Sequence, residues 1–87
     1  MKAILTVIGH DKVGILAAVT ALLAKNNVNI LDVSQTIMQN LFTMIMMVDL
    51  QDASFETVQD DLSDLADKLG MSIRLQREEV FEAMHRI

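Results

Sequence analysis

The sequence predicts an α+β domain in which a four-stranded antiparallel sheet carries two helices on one face. Apolar and polar residues alternate in four short segments, and apolar residues recur every three or four positions in two longer ones. These segments follow one another in the order βαββαβ, with a short helical tail after the last strand. The length of 87 residues allows one domain, for which we predict residues 1–77, with a C-terminal helical extension at 78–87.

The first half of the chain predicts a strand, a turn and a helix. Residues 2–8 are β-branched and apolar, as in a strand covered on at least one side. In the polar turn that follows, Asp11 is placed to cap a helix that begins near Lys12 or Val13 and runs to about Asn26. One side of this helix is an apolar stripe, and the other side carries almost no charge: Ala17, Thr20, Ala21 and Ala24. We therefore expect both sides to be covered.

The middle of the chain predicts an antiparallel hairpin. Residues 28–38 and 41–50 are two strand-like runs separated by the polar pair Gln39 and Asn40. The alternation of the first run slips near Ile30 and Leu31, which predicts a β-bulge.

The last part predicts a second helix, a strand and the tail. Ser54 is a natural N-cap, Gly70 a natural terminator, and the stripe between them is regular: Phe55, Val58, Leu62, Leu65 and Leu69. Residues 71–77 alternate as a strand with one solvent-exposed face, and an amphipathic helix begins at Glu78. Because crossover connections are right-handed, this order places both helices on one face of the sheet, the ferredoxin-like arrangement.

Composition restricts the classes of partner. The formal net charge of −5 argues against nucleic acid and against anionic membrane surfaces, which both need clustered Lys and Arg. Cysteine is absent, no apolar run reaches about 18 residues, and no signal-peptide pattern is present, so we expect a cytoplasmic protein. The hydrophobic content of 52% exceeds what one small core needs, which favours an apolar interface.

A catalytic or metal site is not expected. The chain has none of the common nucleophile, zinc or phosphate motifs, and its two histidines lie far apart in sequence. His10 and Asp11 are the one adjacent pair that could bind an ion, but a third ligand is not in view, and a solvated loop is the more common explanation of His10. The acidic face of the second helix is typical of a solvated surface. We therefore predict no enzyme, no cofactor and no metal.

The turn before the first helix is the main candidate for function. A helix N-terminus presents N–H groups without helical partners and a partial positive charge, so the amides of Lys12 to Ile15 could receive a carboxylate. Gly14 would let a ligand approach the main chain, and Asp11 could bind an ammonium group. On physical grounds alone, an ordinary capped turn is the more common explanation.

The residues of this turn resemble a known family. The run Asp11-Lys12-Val13-Gly14-Ile15-Leu16, followed by an alanine-rich helix and then Asn27-Val28-Asn29-Ile30, resembles the ACT domain, whose first loop usually reads D-x-P-G-[VIL]-L and whose second strand opens with V-N-I. The resemblance covers about residues 2–77. The chain is similar to the small stand-alone ACT proteins of bacteria and to one repeat of the glycine cleavage system repressor.

The resemblance implies a regulatory module that binds an amino acid or a related metabolite between two copies of the domain. Its ligand residues would be Asp11 and Asn29, with main-chain groups of Lys12, Val13, Gly14 and Ile15 and with His10 as a secondary candidate. Three positions depart from ligand-binding members of the family: Val13 replaces the usual Pro, Gly9 stands where some binders carry a His, and Asp11 stands in place of the Asn of the serine-binding members, which favours an amine.

The resemblance also implies a homodimer, formed either by two sheets side by side or by two first helices packed together. Such pairing would cover the uncharged outer side of the first helix. An alternative function is a protein-interaction module that regulates a partner enzyme or a transcription regulator without a ligand.

Overall fold

The computed structural model describes residues 1–10 and 13–85, and the elements in these ranges follow the predicted order. The strands are β1 (Lys2–Gly9), β2 (Asn29–Met38), β3 (Leu41–Asp49) and β4 (Ser72–Arg77), and the helices are α1 (Ile15–Lys25), α2 (Phe55–Leu69) and α3 (Glu78–His85). The ferredoxin-like fold class and the helical tail are confirmed. No helix of the described residues is long and apolar enough to cross a membrane.

The four strands form one antiparallel sheet in the order β2-β3-β1-β4, so β2 and β4 are its two edges. At one end of the sheet Lys2 pairs with Asp49, which also pairs with Asn29. At the other end Gly9 pairs with Phe42, close to the β2–β3 hairpin. We call this second end the loop end, because the connection from β1 to α1 leaves the sheet there.

The predicted hairpin and bulge in β2 are both present. The ladder between β2 and β3 shifts between Ile30 and Asp32, which leaves Leu31 as the extra residue. At the hairpin, Gln39 has a φ of 56° and so supplies the left-handed conformation that glycine usually supplies in tight turns.

The core lies between the sheet and the two helices α1 and α2. Alternate side chains of β1 and β3 meet one stripe from each helix, and the fully buried larger members are Leu5, Val7, Met44, Met46, Val48, Ile15, Val19, Leu23, Val58 and Leu62. Burial of an apolar side chain of this size contributes roughly 1.5–3 kcal/mol. The two apolar stripes predicted from helical periodicity therefore hold the helices to the sheet.

The start of α1 differs from the prediction. The helix begins at Ile15, with Gly14 at the N-cap position, and not near Lys12 or Val13. The reason is the left-handed conformation of Gly14, with φ 76° and ψ −7°, which a right-handed helix cannot include. Asp11 and Lys12 lie outside the described residues.

Only one side of α1 is covered within a single chain. Ile15, Val19 and Leu23 are buried, whereas the opposite surface is exposed at Leu16, Ala17, Ala21 and Ala24. The hydroxyl of Thr20 on this surface donates to the carbonyls of Leu16 and Ala17, 2.8 and 3.1 Å away. The outer side of α1 therefore presents an almost uninterrupted apolar surface.

The second helix and the tail behave as predicted. Ser54 accepts a hydrogen bond from the N–H of Thr57, and Gly70 ends α2 in a left-handed conformation. The tail helix α3 turns back over β1 and β4 on the face of the sheet opposite α1 and α2. Ile4 on this face is only 5% exposed, because α3 lies above this part of the sheet.

Candidate functional site

The candidate site lies at the loop end, where β1 continues into the residues before α1. The left-handed Gly14 is not a hydrogen-bonding cap, and the first turn of α1 contains no acidic residue. The helical ladder starts with the bond from the N–H of Ala18 to the carbonyl of Gly14, at 2.9 Å. The N–H groups of Ile15, Leu16 and Ala17 therefore have no helical acceptors of their own.

The N-terminus of α2 shows what α1 lacks. There the Ser54 hydroxyl accepts from the N–H of Thr57 at 3.4 Å, and Glu56 in the first turn complements the helix dipole. In the described residues α1 has neither a capping side chain nor an acidic residue in its first turn. An anion at the start of α1 would supply both the missing acceptor and the missing negative charge.

The described residues of the loop are exposed to solvent, whereas the first residue of α1 is held in the core. Val13 is 83% exposed, and His10 and Gly14 are exposed as well. A Cβ built on Gly14 would meet no atom of the described residues within 4 Å, so these leave the main chain open to close approach. Ile15, the next residue, is buried in the core and fixes the direction of the first helical turn.

The structure separates one predicted site residue from the others. Asn29 begins β2 at the end of the sheet that holds Lys2 and Asp49, whereas the loop follows Gly9. The seven strand steps from Lys2 to Gly9 span about 23 Å at the usual rise per residue. One chain therefore does not bring Asn29 beside the loop.

This separation was readable from the sequence. An 11-residue α1 carries the chain about 16 Å away from the loop before β2 can begin. The motif itself does not show this separation, because it lists the loop and Asn29 together although a whole helix lies between them. Of the other predicted site residues, Val13, Gly14 and Ile15 are together at the helix start, His10 precedes them, and Asp11 and Lys12 lie outside the described residues.

Sequence reasoning missed the contact between Gly9 and Met71. A Cβ on Gly9 would lie 3.1 Å from both Cβ and Cε of Met71, so a larger residue at position 9 would push against the turn after α2. The glycine lets the chain that leaves β1 pass close to that turn. A Gly immediately before a polar turn was the signal for such a close approach.

The end of the sheet that holds Asn29 has its own fixed charge. Asp49, the ladder partner of Asn29, accepts a hydrogen bond from the N–H of Gln51 at 3.0 Å and lies 3.4 Å from the N-terminal ammonium of Met1. The Gln51 hydrogen bond, and after it the ammonium group, lower the pKa of the Asp49 carboxyl below its usual value of 3.8. Asp49 is therefore ionised at neutral pH.

Metal ligation has no support within residues 1–10 and 13–85. No group of three or more His, Asp or Glu side chains in these ranges converges on one point. His10 is exposed, and the acidic residues of α2 are spread along its solvent side. What the arrangement can do chemically is bind a small anion or zwitterion at the start of α1.

Comparison with known proteins gives consistent results. The family model described as the ACT domain matches residues 2–76. A curated UPF0237 protein from Clostridium acetobutylicum is 54% identical over 89 aligned positions, covering 100% of both chains. The solved structure of an ACT domain protein from Streptococcus pneumoniae is 36% identical, with 94% of each chain covered, and superimposes with a TM-score of 0.83.

A more distant structure shares the fold. A protein described as a glycine cleavage system transcriptional repressor is 19% identical and superimposes with a TM-score of 0.77, with 86% of this chain and 45% of that one covered. The predicted resemblance is thus confirmed by a family model, by close relatives and by structures. This chain belongs to the ACT domain family.

Proposed function

We propose that this protein is a non-catalytic regulatory module that binds an amino acid or a similar small zwitterion at the start of α1. The observation that carries the proposal is the solvent-open helix N-terminus at Gly14, which has no side-chain cap in the described residues. The ligand carboxylate would accept from the amides of Ile15 and its neighbours, and Asp11 would bind the ammonium group.

The binding domain of this proposal is residues 1–77, with residues 78–87 as an extension. The cytoplasmic location that the sequence predicts also belongs to the proposal. Neither part depends on the identity of the ligand.

The proposed site needs two copies of the chain. Asn29 and the loop lie at opposite ends of the sheet in one chain. Antiparallel pairing of two β2 edges about a two-fold axis at the middle of the strand would bring the start of one β2 to the end of the other. The partner's Asn29 would then lie at the loop end of this chain, beside the hairpin.

The same axis would serve both predicted modes of dimer contact. Because α2 packs on β4 at one edge, α1 lies towards the β2 side of the sheet. The apolar outer side of α1 and the β2 edge therefore border on each other, and one two-fold axis would cover both. Their exposed apolar residues would be removed from water in the dimer: Leu16, Val33, Ile37 and Met38.

Two variants that each lose half of the site test this arrangement. Each of the twenty amino acids is titrated into the protein while the amide resonances of residues 13–18 are followed by NMR. The amino acid that moves these resonances is then added to Asn29→Ala, to Gly14→Val and to an equal mixture of the two. We expect neither variant to bind alone, because each dimer lacks one half of both sites.

The mixture is expected to regain about one quarter of the wild-type sites, since half of its dimers are mixed and each mixed dimer holds one intact site. Thermal unfolding and sedimentation of each variant control for folding and dimer formation. If none of the twenty amino acids shifts the amide resonances of the loop, the proposed ligand class is wrong. Loss of binding with no recovery in the mixture would overturn the shared site.

The apolar edge of β2 favours a second candidate function. A partner enzyme or transcription regulator could pair with the same edge without any ligand, as in strand addition. In that case binding of a purified partner would survive Asp11→Ala and Asn29→Ala and would be lost in Val33→Lys. If an added amino acid abolishes partner binding, the protein has both functions, and the ligand regulates the interaction with the partner.

A further inference from the structure

The face of the sheet opposite α1 and α2, which we call the outer face, is only partly covered by α3. Beside the helix remains a groove of about 390 Å³, lined by Thr6, Ile8, Ile45, Ser72, Arg74, Gln76 and Phe81. We propose that this groove is a second ligand site, which binds a small carboxylate with an apolar body. It is separate from the site at the start of α1.

The strand register brings the lining residues together. Thr6 pairs with Ile45 of β3 on one side and with Arg74 of β4 on the other, and Ile8 pairs with Ser72. Side chains of directly paired residues point to the same face, with Cβ atoms about 5 Å apart. Three strands thus place two hydroxyls, a guanidinium and two isoleucines on one floor.

Arg74 gives the groove a positive charge. Among the described residues, no carboxylate forms an ion pair with Arg74. The other arginine of the strand is different, because Arg77 lies over the ring of Phe55 at 5.2 Å from its centroid. In a chain with a net charge of −5, Arg74 is the one charged side chain among the described residues that line this groove. A planar guanidinium binds a carboxylate through two parallel hydrogen bonds, so the charge favours that ligand group.

The apolar lining of the groove indicates that the ligand has an apolar body in addition to its carboxylate. Ile8 and Ile45 are each 39% exposed on the floor, although both belong to the central strands β1 and β3. Phe81 of α3 lines the groove beside them. Small-molecule sites commonly enclose roughly 300–1,000 Å³ with mostly apolar walls and a few polar groups, and this groove fits the lower part of that range. An inorganic anion would leave the isoleucines exposed to water, so a carboxylate with an apolar body fits better.

The groove and the proposed amino-acid site lie on different surfaces. The start of α1 is at the loop end, whereas the groove lies on the sheet face that α1 does not touch. The wall of the groove comes from α3, which begins at Glu78, directly after β4. A ligand in the groove would therefore contact both the sheet and the C-terminal helix, and would favour the arrangement in which they are packed together.

Phenylacetate and its neutral analogue phenylacetamide test the site. The full chain with ¹³C-labelled isoleucine methyl groups is titrated with each compound while Ile8 and Ile45 are followed by NMR. We expect saturable shifts of both methyl resonances with phenylacetate, at a Kd of about a millimolar for so small a probe. Phenylacetamide should bind about tenfold more weakly or worse, because it lacks the charge that Arg74 recognises.

Two arginine variants provide the matched control. Arg74→Gln should weaken phenylacetate binding about tenfold or more, whereas Arg77→Gln removes an equal charge from the same strand and should leave the affinity unchanged. Circular dichroism verifies that both variants fold. The amides of residues 13–18 are followed in the same samples, so that binding at the loop is distinguished from binding in the groove.

The proposal is overturned if the two methyl resonances stay still up to the solubility limit of phenylacetate. It is also overturned if phenylacetamide binds as well as phenylacetate, or if Arg74→Gln and Arg77→Gln weaken binding equally. Shifts confined to the loop amides would assign the carboxylate to the start of α1 and would again exclude the groove. None of these outcomes depends on whether an amino acid binds at the loop.

Discussion

The two edges of the sheet are built in opposite ways. β4 has six residues, two of them arginines, and it leads directly into α3. β2 has ten residues, all exposed from Leu31 onward, with Asp32 as its only charged residue. Ile37 and Met38 near its end are 53% and 70% exposed.

This difference leaves β2 as the less protected edge of the sheet. An open edge strand attracts other chains, and proteins protect such edges by short strands, charged side chains and covering elements. β4 has the first two of these protections, since it is short and carries two arginines. β2 is longer, carries a single charged residue and has no covering element in the described chain, and the dimer proposed above would cover it.

The largest expected effect is dissociation of the dimer by a charge on β2. Val33→Lys would place two lysines near each other across the two-fold axis and remove two apolar contacts. We expect a loss of about 2–4 kcal/mol, or a dimer Kd raised about 30-fold to 1,000-fold. Sedimentation velocity over a concentration series measures this change against the 9.7 kDa monomer mass.

Ser72→Lys is the matched control for this experiment, because it adds the same charge to the exposed start of the other edge strand. It should leave the dimer unchanged. If Ser72→Lys dissociates the protein as much as Val33→Lys, or if neither does, the two edges do not differ in the way we describe.

The next effect separates stability within one chain from stability of the dimer. Ile73 on β4 packs against the core, so Ile73→Ala should lower the free energy of unfolding by about 1–2 kcal/mol at every protein concentration. Ile37→Ala on β2 should lower the Tm only where wild-type protein is dimeric, since the residue is exposed in a single chain. Thermal unfolding at two widely spaced concentrations distinguishes them, and equal behaviour of the two variants would contradict the comparison.

A third effect links the ligand to the β2 edge. If the partner's Asn29 completes the site, an amino acid that binds must also strengthen the dimer, by reciprocal linkage. Gly14→Ala should remove this strengthening, whereas Gly70→Ala should retain it. Both glycines have positive φ and open space around them, so each alanine should cost a similar 1 kcal/mol or so of strain. Ligand-dependent sedimentation of the two variants measures the effect, and strengthening that persists in Gly14→Ala would refute the link.

The smallest expected effect is a pH dependence at the end of the sheet away from the loop. The pKa of Asp49 is lowered in the folded protein, first by the N–H of Gln51. Its contribution to stability is therefore present above the unfolded pKa of about 3.8 and is lost as the pH falls through the lower folded pKa. Asp49→Asn should have a slightly lower Tm than the wild type at neutral pH, and the gap should close in acid. A gap that widens in acid would mean that the carboxyl has the opposite shift.

The sequence predicted the fold well because the fold follows from periodicity. The regular stripe between Phe55 and Leu69, closed by Ser54 and Gly70, defined α2 to the residue. The predicted start of α1 was wrong, since glycine can adopt both the helical and the left-handed conformation and the sequence does not show that Gly14 adopts the second.

The candidate sites depend more strongly on tertiary structure. The separation of Asn29 from the loop follows from chain direction, which a motif does not encode. The outer groove was not predicted at all, because Thr6, Ile45 and Arg74 become neighbours only through the registers of two strand pairs. Alternation within one strand shows which residues share a face, but not which residues of other strands lie beside them.

The bulge at Leu31 has a consequence for solubility. A long, flat, apolar edge would template uncontrolled growth of strands from many molecules. The extra residue bends β2 and increases its twist, and the Asp32 carboxylate accepts the N–H of Val33 at 2.9 Å, so that this donor is already occupied. A strand that extends the sheet here would have to follow this bend without the N–H of Val33. The irregularity that interrupts the ladder thus makes this edge a poorer template for uncontrolled strand addition.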